Sequence, residues 1–333
     1  MSDSQSITLS ICIPTYNRPA LLIEALHSIV SQVADNSVIE ICISNNCSTE
    51  DYSVVEQFIY EYHYIQYQRH RQPITLDENM HSVVKMAKGS YIYFLGDDDY
   101  FLENGLVQLL EAIKDISPDL AIINGTNVDK DGRSVGRLFD GGNILLYSFK
   151  SSYTYHHNHC MFGAILVRRS LLLDYLFVSF YGTSHAYMSF WAAIALHESC
   201  DQNSNKPIKV FTPPHPIVAL RASSKTYSAY FLDAMYLHMP MWYFVLLRFV
   251  QCESNRLLVM RIANDNTRLI FSLRFLASLK KSGLNVRSVA NYPPAQLTYV
   301  IRLKILLIVY TPTIIMQSAG KLIREIKSLR DHF

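Results

Sequence analysis

Residues 91–99 read YIYFLGDDD, and this stretch decides the fold. Its first five residues are aromatic or branched, which predicts a short buried strand. The residues that follow, 103–116, have the pattern of a helix, so Asp97, Asp98 and Asp99 lie where a strand ends and a loop begins. In open α/β sheets, ligands bind at the carboxyl ends of the strands. The three aspartates are therefore candidate ligand-binding residues.

The chemistry of this acidic triplet favours a cation. Three adjacent carboxylates repel one another unless a positive charge lies between them. Carboxylate oxygens suit Mg²⁺ or Mn²⁺, and Mg²⁺ is commonly bound by one or two carboxylates together with substrate phosphates. The triplet predicts a site for a metal and a diphosphate. The alternative that stays open is a solvated acidic turn at the start of the next helix.

The first half of the chain alternates strands and helices around this stretch. Further strands are predicted at 7–13, 38–43, 64–67 and 119–124, with helices between them. This alternation predicts an α/β fold with a doubly wound, mostly parallel sheet and helices on both faces. Polar loops at 15–18, 44–51 and 97–99 then gather at one edge of the sheet, where a single ligand can lie across them.

Composition and motifs exclude several classes of function. The first strand is followed by neither G-x-G-x-x-G nor a Walker A pattern, which argues against a dinucleotide oxidoreductase and a P-loop phosphotransferase. The net charge is only +2 over 333 residues, so no nucleic-acid partner is expected. The six cysteines form no C-x-x-C pair, and Cys12 and Cys42 fall in apolar runs. Core thiols and a reducing, cytoplasmic compartment are expected, and residues 1–6 lack a signal-peptide pattern.

Three segments in order, IPTYNR at 13–18, SNNCSTED at 44–51 and FLGDDD at 94–99, resemble family 2 glycosyltransferases with the GT-A fold. The resemblance implies a nucleotide-diphosphate sugar donor, Mg²⁺ or Mn²⁺ as cofactor, and transfer of the sugar to an acceptor hydroxyl. The finer resemblance is to enzymes of bacterial O-antigen assembly such as abequosyltransferases, which use CDP-activated dideoxyhexoses. It implies a lipid-linked oligosaccharide acceptor at the inner face of the cell membrane.

The resemblance also implies roles for individual residues. It assigns Asp98 and Asp99 to the metal. Asn46 stands where many family members have an aspartate that contacts the base or ribose, which leaves the identity of the base open. The residues expected to bind the nucleotide or its ribose are Pro14, Thr15, Tyr16, Arg18, Asn46 and Asp97.

The general base is the point at which this sequence departs from the family. An acidic pair usually supplies the base downstream of a strand like the one predicted at 162–167, but residues 181–186 read YGTSHA. His185 takes that position and can accept a proton near neutral pH. The alternative is a histidine that packs at the start of the next helix, and Asp174 and Glu198 are weaker candidates. The stereochemical outcome of transfer stays open.

A run of histidines and a cysteine lies in the middle of the chain, where residues 155–160 read YHHNHC. One interpretation is a metal cluster, but zinc sites usually have a spaced second pair of ligands. The preferred interpretation is an acceptor-side loop of polar aromatic residues. The turn signal DKDG at 129–132 predicts a hairpin or a flexible loop.

The last third of the chain has a helical period, which predicts a catalytic domain over 1–222 and a helical region over 223–333. Its stretch 305–316 carries no charge and is too short to span a bilayer. Basic residues flank it: Arg302, Lys304, Lys321, Arg324 and Lys327. An interfacial helix at the inner membrane surface is expected. The alternative is a helical hairpin with a solvated basic face.

Two rival functions stay open on the sequence alone. A nucleotidyltransferase would have a glycine-rich loop with a basic residue after the first strand, and residues 15–18 lack the glycines. A non-catalytic binding protein with the same fold is the second rival, because the acidic pair is missing.

Overall fold

The computed structural model describes residues 7–33, 38–129, 131–200, 207–221 and 238–270. The chain divides into two compact units, one of 1–224 with 244–258 and one of 225–243 with 259–333. The predicted division into 1–222 and 223–333 stays a prediction, because most of the second region lies outside the described residues.

The described strands and helices alternate through the first half of the chain, as the sequence predicts. The strands are β1 (Leu9–Thr15), β2 (Ile39–Asn45), β3 (Ile65–Arg69), β4 (Tyr91–Phe94), β5 (Tyr100–Phe101), β6 (Leu120–Ile122), β7 (Gly125–Val128), β8 (Ser134–Arg137), β9 (Ile144–Leu146), β10 (Ile165–Arg168), β11 (Val210–Thr212) and β12 (Val218–Arg221). The α-helices of the same unit are α1 (Pro19–Val30), α2 (Ser53–Tyr60), α3 (Leu76–Met86), α4 (Gly105–Ile116), α5 (Phe149–His156), α6 (Asp174–Ser179) and α7 (Phe190–Cys200). Two further helices are Met239–Phe249 and Glu253–Ile270.

The large sheet has eight described strands in the order β3-β2-β1-β4-β10-β6-β11-β9. Strands β3, β2, β1 and β4 are parallel, whereas β10 is antiparallel to both β4 and β6. The register pairs Thr15 with Asn45 and Cys12 with Phe94, so the ends of β1, β2 and β4 lie at one edge. The prediction of an α/β fold with a mostly parallel sheet is confirmed. β10 is an antiparallel strand inserted into the sheet, and β9 at its edge is antiparallel to β11.

Helices cover both faces of the sheet because alternate side chains of a strand point in opposite directions. Ile11 and Ile13 of β1 belong to one buried cluster with Leu22 and Leu26 of α1. On the other face, the Sγ of Cys12 donates to the carbonyl oxygen of Val83 in α3 at 3.5 Å. All seven residues of β1 are buried, as a strand covered on both faces requires.

The smaller sheet has the order β5-β12-β7-β8. The antiparallel pair β7 and β8 encloses the turn at 129–132, so the predicted hairpin is confirmed. The backbone N–H of Gly132 donates to the carbonyl of Asp129 at 3.0 Å. The side chain of Asp129 accepts from the N–H groups of Asp131 and Arg133, which fixes this turn.

Helix α2 begins later than the spacing of Ser48 and Asp51 in the sequence indicates. Ser48 and Asp51 have the spacing of a capping box, but α2 begins at Ser53 and Ser48 accepts from the N–H of Asn17 instead. The described capping box lies at α3, between Thr75 and Glu78. Aspartate is one methylene shorter than glutamate, and Asp51 bonds only to Ser53, two residues on.

The helical region is described only in part. Its described helices are Met239–Phe249 and Glu253–Ile270. The charge-free stretch 305–316 and the basic residues that flank it lie outside the described residues. Among the described residues, no helix is both long and apolar enough to cross a membrane.

Candidate active site

Three loops follow the parallel strands at the edge where β1, β2 and β4 end. The first loop is 16–18, the second is 46–52 and the third is 95–99. The side chain of Asn17 joins the first two, because its Oδ1 accepts from the N–H of Thr49 at 2.7 Å and its own N–H donates to the Oγ of Ser48 at 2.9 Å. Asn17 has φ +53°, a left-handed conformation that asparagine tolerates.

Asp97 joins the first loop to the third. Its Oδ2 accepts from the hydroxyl of Thr15 at 2.9 Å and from the N–H of Tyr16 at 3.3 Å. Its Oδ1 accepts from Nη1 of Arg18 at 3.0 Å. Burial raises the pKa of Asp97 to about 6, although the guanidinium of Arg18 lowers it. The structure therefore brings the predicted residues Thr15, Tyr16, Arg18 and Asp97 together.

Arg18 bridges two carboxylates of the acidic triplet. The same Nη1 that bonds to Asp97 lies 2.9 Å from Oδ2 of Asp98. Each of Asp97, Asp98 and Asp99 is only 7% exposed, so the charge on these groups is poorly solvated. The sequence predicts a bound divalent cation at these carboxylates. The guanidinium of Arg18 adds a positive charge between two of them from within the chain.

Asp99 is enclosed by protein and links two strands. Its Oδ1 accepts from the backbone N–H of Arg221 at the end of β12, at 3.0 Å. A Cβ added to Gly163 or Gly96 would lie 2.3 Å or 2.5 Å from its Oδ2. Burial raises the pKa of Asp99, and the charge of Asp98 raises it further. The position of Asp99 fits a structural carboxylate better than a metal ligand.

Asp98 is the member of the triplet that fits a divalent cation. The described hydrogen bonds use both carboxylate oxygens of Asp97 but only Oδ2 of Asp98. Among the described residues, no group of three or more histidine, cysteine, aspartate or glutamate side chains is arranged to bind a metal ion. One carboxylate with a donor diphosphate is a common way to bind Mg²⁺, and Asp98 with an incoming diphosphate fits it.

The other residues predicted to bind the nucleotide differ in whether their side chains are accessible to a ligand. Tyr16 is 52% exposed, so its ring is open to a ligand at the sheet edge. Pro14 is buried within β1. The carboxamide of Asn46 pairs with the backbone of Ile74, since Nδ2 donates to its carbonyl at 2.9 Å and Oδ1 accepts from its N–H at 2.8 Å. Asn46 therefore fixes the approach to α3, a role that the sequence did not indicate.

His185 precedes a short 3₁₀ helix, Ala186–Ser189. Its Nδ1 lies 2.7 Å from the carbonyl oxygen of Thr183, which can only accept, so Nδ1 carries the proton of the neutral ring. Its ring contacts Tyr187 at a centroid distance of 6.0 Å, and Tyr187 contacts Phe94 of β4 at 6.0 Å. These contacts connect the segment that carries His185 to the strand preceding the acidic triplet.

The segment 155–160 is mainly structural. His156 is the last residue of α5 and is fully buried, with Nε2 3.2 Å from the hydroxyl of Thr212. His159 stacks on Phe139 at 4.4 Å. The preferred interpretation, a polar acceptor-side loop, is wrong for His156, because the helix continues to that residue.

The weaker candidates for the general base have hydrogen-bond or ion-pair partners of their own. Asp174 lies 2.9 Å from Nε2 of His81, and Glu198 accepts from the N–H of Phe149. Neither of these described contacts brings the side chain to the acidic triplet.

Sequence reasoning missed two residues of α3 that contact the segment before His185. Asp77 accepts from backbone N–H groups of that segment, and His81 contacts the hydroxyl of Tyr181 at 2.6 Å. The partners are about 100 residues apart in the chain, and no local pattern marks such pairs. The helical spacing of Asp77 and His81, four residues apart, is the only signal that the sequence carries.

Known proteins share both the sequence pattern and the fold. The family model for glycosyl transferase family 2 matches residues 10–176. Abequosyltransferase RfbV of Salmonella typhimurium is 36% identical over 114 residues, which is 34% of this chain and 34% of that protein. A GalNAc(5)-diNAcBac-PP-undecaprenol beta-1,3-glucosyltransferase of Campylobacter jejuni is 34% identical over 107 residues, 31% of this chain and 33% of that protein. The chain thus matches about a third of the length of these curated relatives.

The crystal structure of Staphylococcus aureus TarS 1–349 superimposes with a TM-score of 0.60 and 14% identity, covering 91% of this chain and 89% of that one. At this identity the likeness shows the fold, which is GT-A. The family match includes β1, β2, β4 and the three loops around the acidic triplet, and it extends over half of the chain. This chain belongs to glycosyl transferase family 2.

Proposed function

We propose that this protein transfers a sugar from a nucleotide-diphosphate donor to an acceptor hydroxyl during the assembly of a bacterial surface polysaccharide. The observation that carries the proposal is the convergence of Thr15, Tyr16 and Arg18 on Asp97, with Asp98 on the same guanidinium. This arrangement places the guanidinium of Arg18, the backbone N–H of Tyr16 and the carboxylate of Asp98 at the edge where α/β folds bind ligands. A diphosphate would accept from the guanidinium and the N–H, and a divalent cation would bind the carboxylate.

The reaction needs a stabilised leaving group. A bound Mg²⁺ or Mn²⁺ would supply positive charge to the diphosphate as the bond to the sugar breaks. Asp98 would bind the cation through the oxygen that Arg18 does not use. Arg18 is placed to turn its guanidinium from the carboxylates to a phosphate oxygen, because guanidinium groups bind carboxylate and phosphate alike. Tyr16 offers an exposed ring for the nucleoside.

The reaction also needs a base for the acceptor hydroxyl. With Nδ1–H donating to Thr183, Nε2 of the neutral His185 ring carries a lone pair and can accept the hydroxyl proton. The oxygen then attacks the anomeric carbon, and the nucleoside diphosphate leaves with the bonding electron pair. His185 serves in place of the acidic pair that this sequence lacks.

The donor and acceptor are proposed from the relatives. The similarity to an abequosyltransferase supports a CDP-activated dideoxyhexose such as CDP-abequose as donor. The similarity to a transferase named for an undecaprenol-linked glycan supports a lipid-linked oligosaccharide as acceptor. An acceptor of that kind would bring the protein to the inner membrane surface, and the sequence has basic residues between 302 and 327 that anionic lipid would attract.

A ligand screen followed by a transfer assay tests the proposal. Melting temperatures are measured with UDP, GDP, CDP and dTDP, each with and without Mn²⁺, because a ligand stabilises in proportion to the logarithm of its concentration over Kd. We expect one nucleotide to stabilise more than the others and to need the cation. Asp98→Ala should then abolish both the cation effect and sugar transfer while the protein stays folded.

The matched control is Asp115→Ala, since Asp115 is an exposed aspartate of α4. It should leave nucleotide binding and transfer unchanged. Full transfer by Asp98→Ala, or by the wild-type protein in excess EDTA, would reject the role of the metal. If no nucleotide raises the melting temperature, the donor class is wrong.

A further inference from the structure

The segment Tyr181–Ala186, here named the His185 loop, has a conformation that needs support from outside. Gly182 has φ +83° and Ser184 has φ +59°, and a left-handed serine costs about 1 kcal/mol or more in backbone strain. Such a loop keeps its conformation only when its surroundings supply compensating contacts. The side chain of His185 depends on the same backbone, because its ring bonds to the carbonyl oxygen of Thr183.

Asp77 supplies most of these contacts. Its Oδ2 accepts from the N–H groups of Gly182 and Ser184, both at 2.9 Å, and its Oδ1 accepts from the N–H of Ala186 at 3.1 Å. Asp77 itself is only 2% exposed. Burial raises the pKa of this carboxyl group, whereas the three N–H groups and the neighbouring His185 lower it. One buried side chain therefore fixes alternate N–H groups on both sides of His185.

This carboxylate is not needed to begin its own helix. The start of α3 already has a complete capping box, in which the Oγ1 of Thr75 accepts from the N–H of Glu78 and the side chain of Glu78 accepts from the N–H of Thr75. Asp77 lies between these two residues and directs both oxygens to the His185 loop instead. The described hydrogen bonds of the Asp77 side chain are therefore made to the His185 loop.

The same face of α3 also holds the beginning of the loop. His81 is one turn after Asp77, and its Nδ1 lies 2.6 Å from the hydroxyl of Tyr181. Its Nε2 lies 2.9 Å from Asp174, and its ring stacks on Phe177 at 4.6 Å. Two side chains four residues apart on one helix therefore contact the His185 loop from Tyr181 to Ala186.

We propose that Asp77 is a positioning residue, which fixes the backbone of the His185 loop so that the imidazole is directed at the acceptor hydroxyl. The proposal rests on the proposed function, in which His185 is the base. A carboxylate bonded to N–H groups makes charge-assisted hydrogen bonds, which are stronger than those of a neutral acceptor. Its negative charge also stabilises the imidazolium that forms when His185 takes the proton, as the buried aspartate does in hydrolase triads.

The test is Asp77→Asn, which keeps the shape of the side chain but removes its charge and one acceptor. We expect kcat to fall by a factor of about 30 or more while the KM for the donor changes less than twofold, because the loop acts on the base and not on the nucleotide. Amide hydrogen exchange at Gly182, Ser184 and Ala186 should become at least about tenfold faster.

The matched control is Glu78→Ala, which removes the capping box of the same helix and leaves the three loop hydrogen bonds in place. It should lower the melting temperature without changing kcat. If Asp77→Asn does not fold, Asp77→Glu keeps the charge but displaces it by one methylene, and the same loss of kcat with an unchanged donor KM is expected.

The outcomes separate this proposal from the proposed function. Wild-type turnover by His185→Ala would show that His185 is not the base, and the proposed mechanism would fail. An inactive His185→Ala together with a wild-type kcat for the Asp77 variants would overturn only the positioning role. A parallel loss of kcat in Asp77→Asn and Glu78→Ala would show that both act through the stability of α3, which also overturns it.

Discussion

Nη1 of Arg18 lies 2.9 Å from Oδ2 of Asp98 and 3.0 Å from Oδ1 of Asp97, so two buried carboxylates share one guanidinium nitrogen. Its side chain is 22% exposed, which leaves it a route to solvent and to a ligand. Arg18 contributes a positive charge at the carboxylates where the sequence predicts a bound divalent cation. One positive charge offsets only part of the negative charge of the triplet, and this partial charge balance exists before any donor binds.

The first prediction follows from that balance. Removing Arg18 in Arg18→Ala leaves the buried carboxylates without their counter-charge, and breaking a buried pair on one side is strongly destabilising. We expect the free energy of unfolding to fall by about 2–3 kcal/mol in cation-free buffer. Mn²⁺ should raise the melting temperature of the variant more than that of the wild-type protein, as thermal unfolding with a Mn²⁺ titration measures.

The control for Arg18→Ala is Arg133→Ala, because Arg133 is exposed in the turn after β7 and, among the described residues, its ion pair is with Asp131. Its melting temperature and its response to Mn²⁺ should match those of the wild-type protein. An Arg18→Ala protein that is as stable as the wild type, or that responds to Mn²⁺ no more strongly, would contradict the proposed balance.

The second prediction concerns Gly163, which lies beside Asp99. A Cβ there would lie 2.3 Å from Oδ2 of Asp99, and Gly163 has φ +92°. Gly163→Ala should destabilise the protein by about 3 kcal/mol, because strain from the positive φ adds to the contact with the carboxylate. Urea unfolding measures the loss.

Gly136→Ala is the matched control for the contact itself. Gly136 also has a positive φ, +145°, but no heavy atom lies within 4 Å of an added Cβ. The difference between the two variants therefore reports how tightly Asp99 and Leu220 enclose Gly163, since Cδ2 of Leu220 would also lie 2.9 Å from the added Cβ. It should be about 2 kcal/mol. Equal losses would mean that Asp99 moves freely and that its carboxylate is open to a ligand.

The strands and helices were predictable because their signals are local. The run 91–95 is apolar and aromatic, as a buried strand requires. The four parallel strands β3, β2, β1 and β4 lie where the alternation of apolar strands, helices and turn residues in the sequence predicts them. The antiparallel direction of β10 could not be predicted from the sequence. The segment 162–167 is apolar, and its composition is the same for either strand direction. Strand direction is set by the long connections before it, and those carry no periodic signal.

The candidate site was predictable only as a set of loops. Thr15, Arg18 and Asp97 follow strands whose ends a parallel sheet must bring together, so their convergence follows from topology. The pairing of Asn46 with Ile74 and of Asp77 with the His185 loop depends on side-chain directions across separate elements. Such contacts arise only after packing, and neither residue type nor spacing marks them.

The third prediction separates the stability of the sheet from its ligand-binding edge. Glu40 is buried near the beginning of β2, and it accepts from Ser10 and Gln66 at 2.6 Å and from the N–H of Gly89 at 3.2 Å. Glu40→Gln should cost about 2–3 kcal/mol, because a buried carboxylate with several donors becomes a neutral amide. Nucleotide affinity should change less than twofold, since the loops follow the other end of β2. Calorimetric binding and urea unfolding measure both quantities, and a large loss of affinity would contradict the separation.

The fourth prediction is a pH dependence of stability that comes from His156. Burial, together with a smaller effect of the nearby His159, lowers the pKa of this histidine to about 3. In the unfolded chain a histidine has a pKa of about 6.5, so below that pH the unfolded state binds a proton that the folded state rejects. Stability is therefore complete above pH 6.5 and falls as the pH falls toward 3. At pH 5 the loss from this one residue is about 2 kcal/mol.

His156→Gln should remove that part of the acid sensitivity, because glutamine keeps a polar group near the hydroxyl of Thr212 but does not titrate in this range. Urea unfolding at pH 7 and pH 5 gives the difference in the free energy of unfolding for each protein, and the variant should lose about 2 kcal/mol less than the wild type. The exposed His63 provides the control, since His63→Gln should leave the wild-type difference unchanged. An identical pH dependence in His156→Gln and the wild type would mean that His156 takes up a proton in the folded protein, which its complete burial at the end of α5 should prevent.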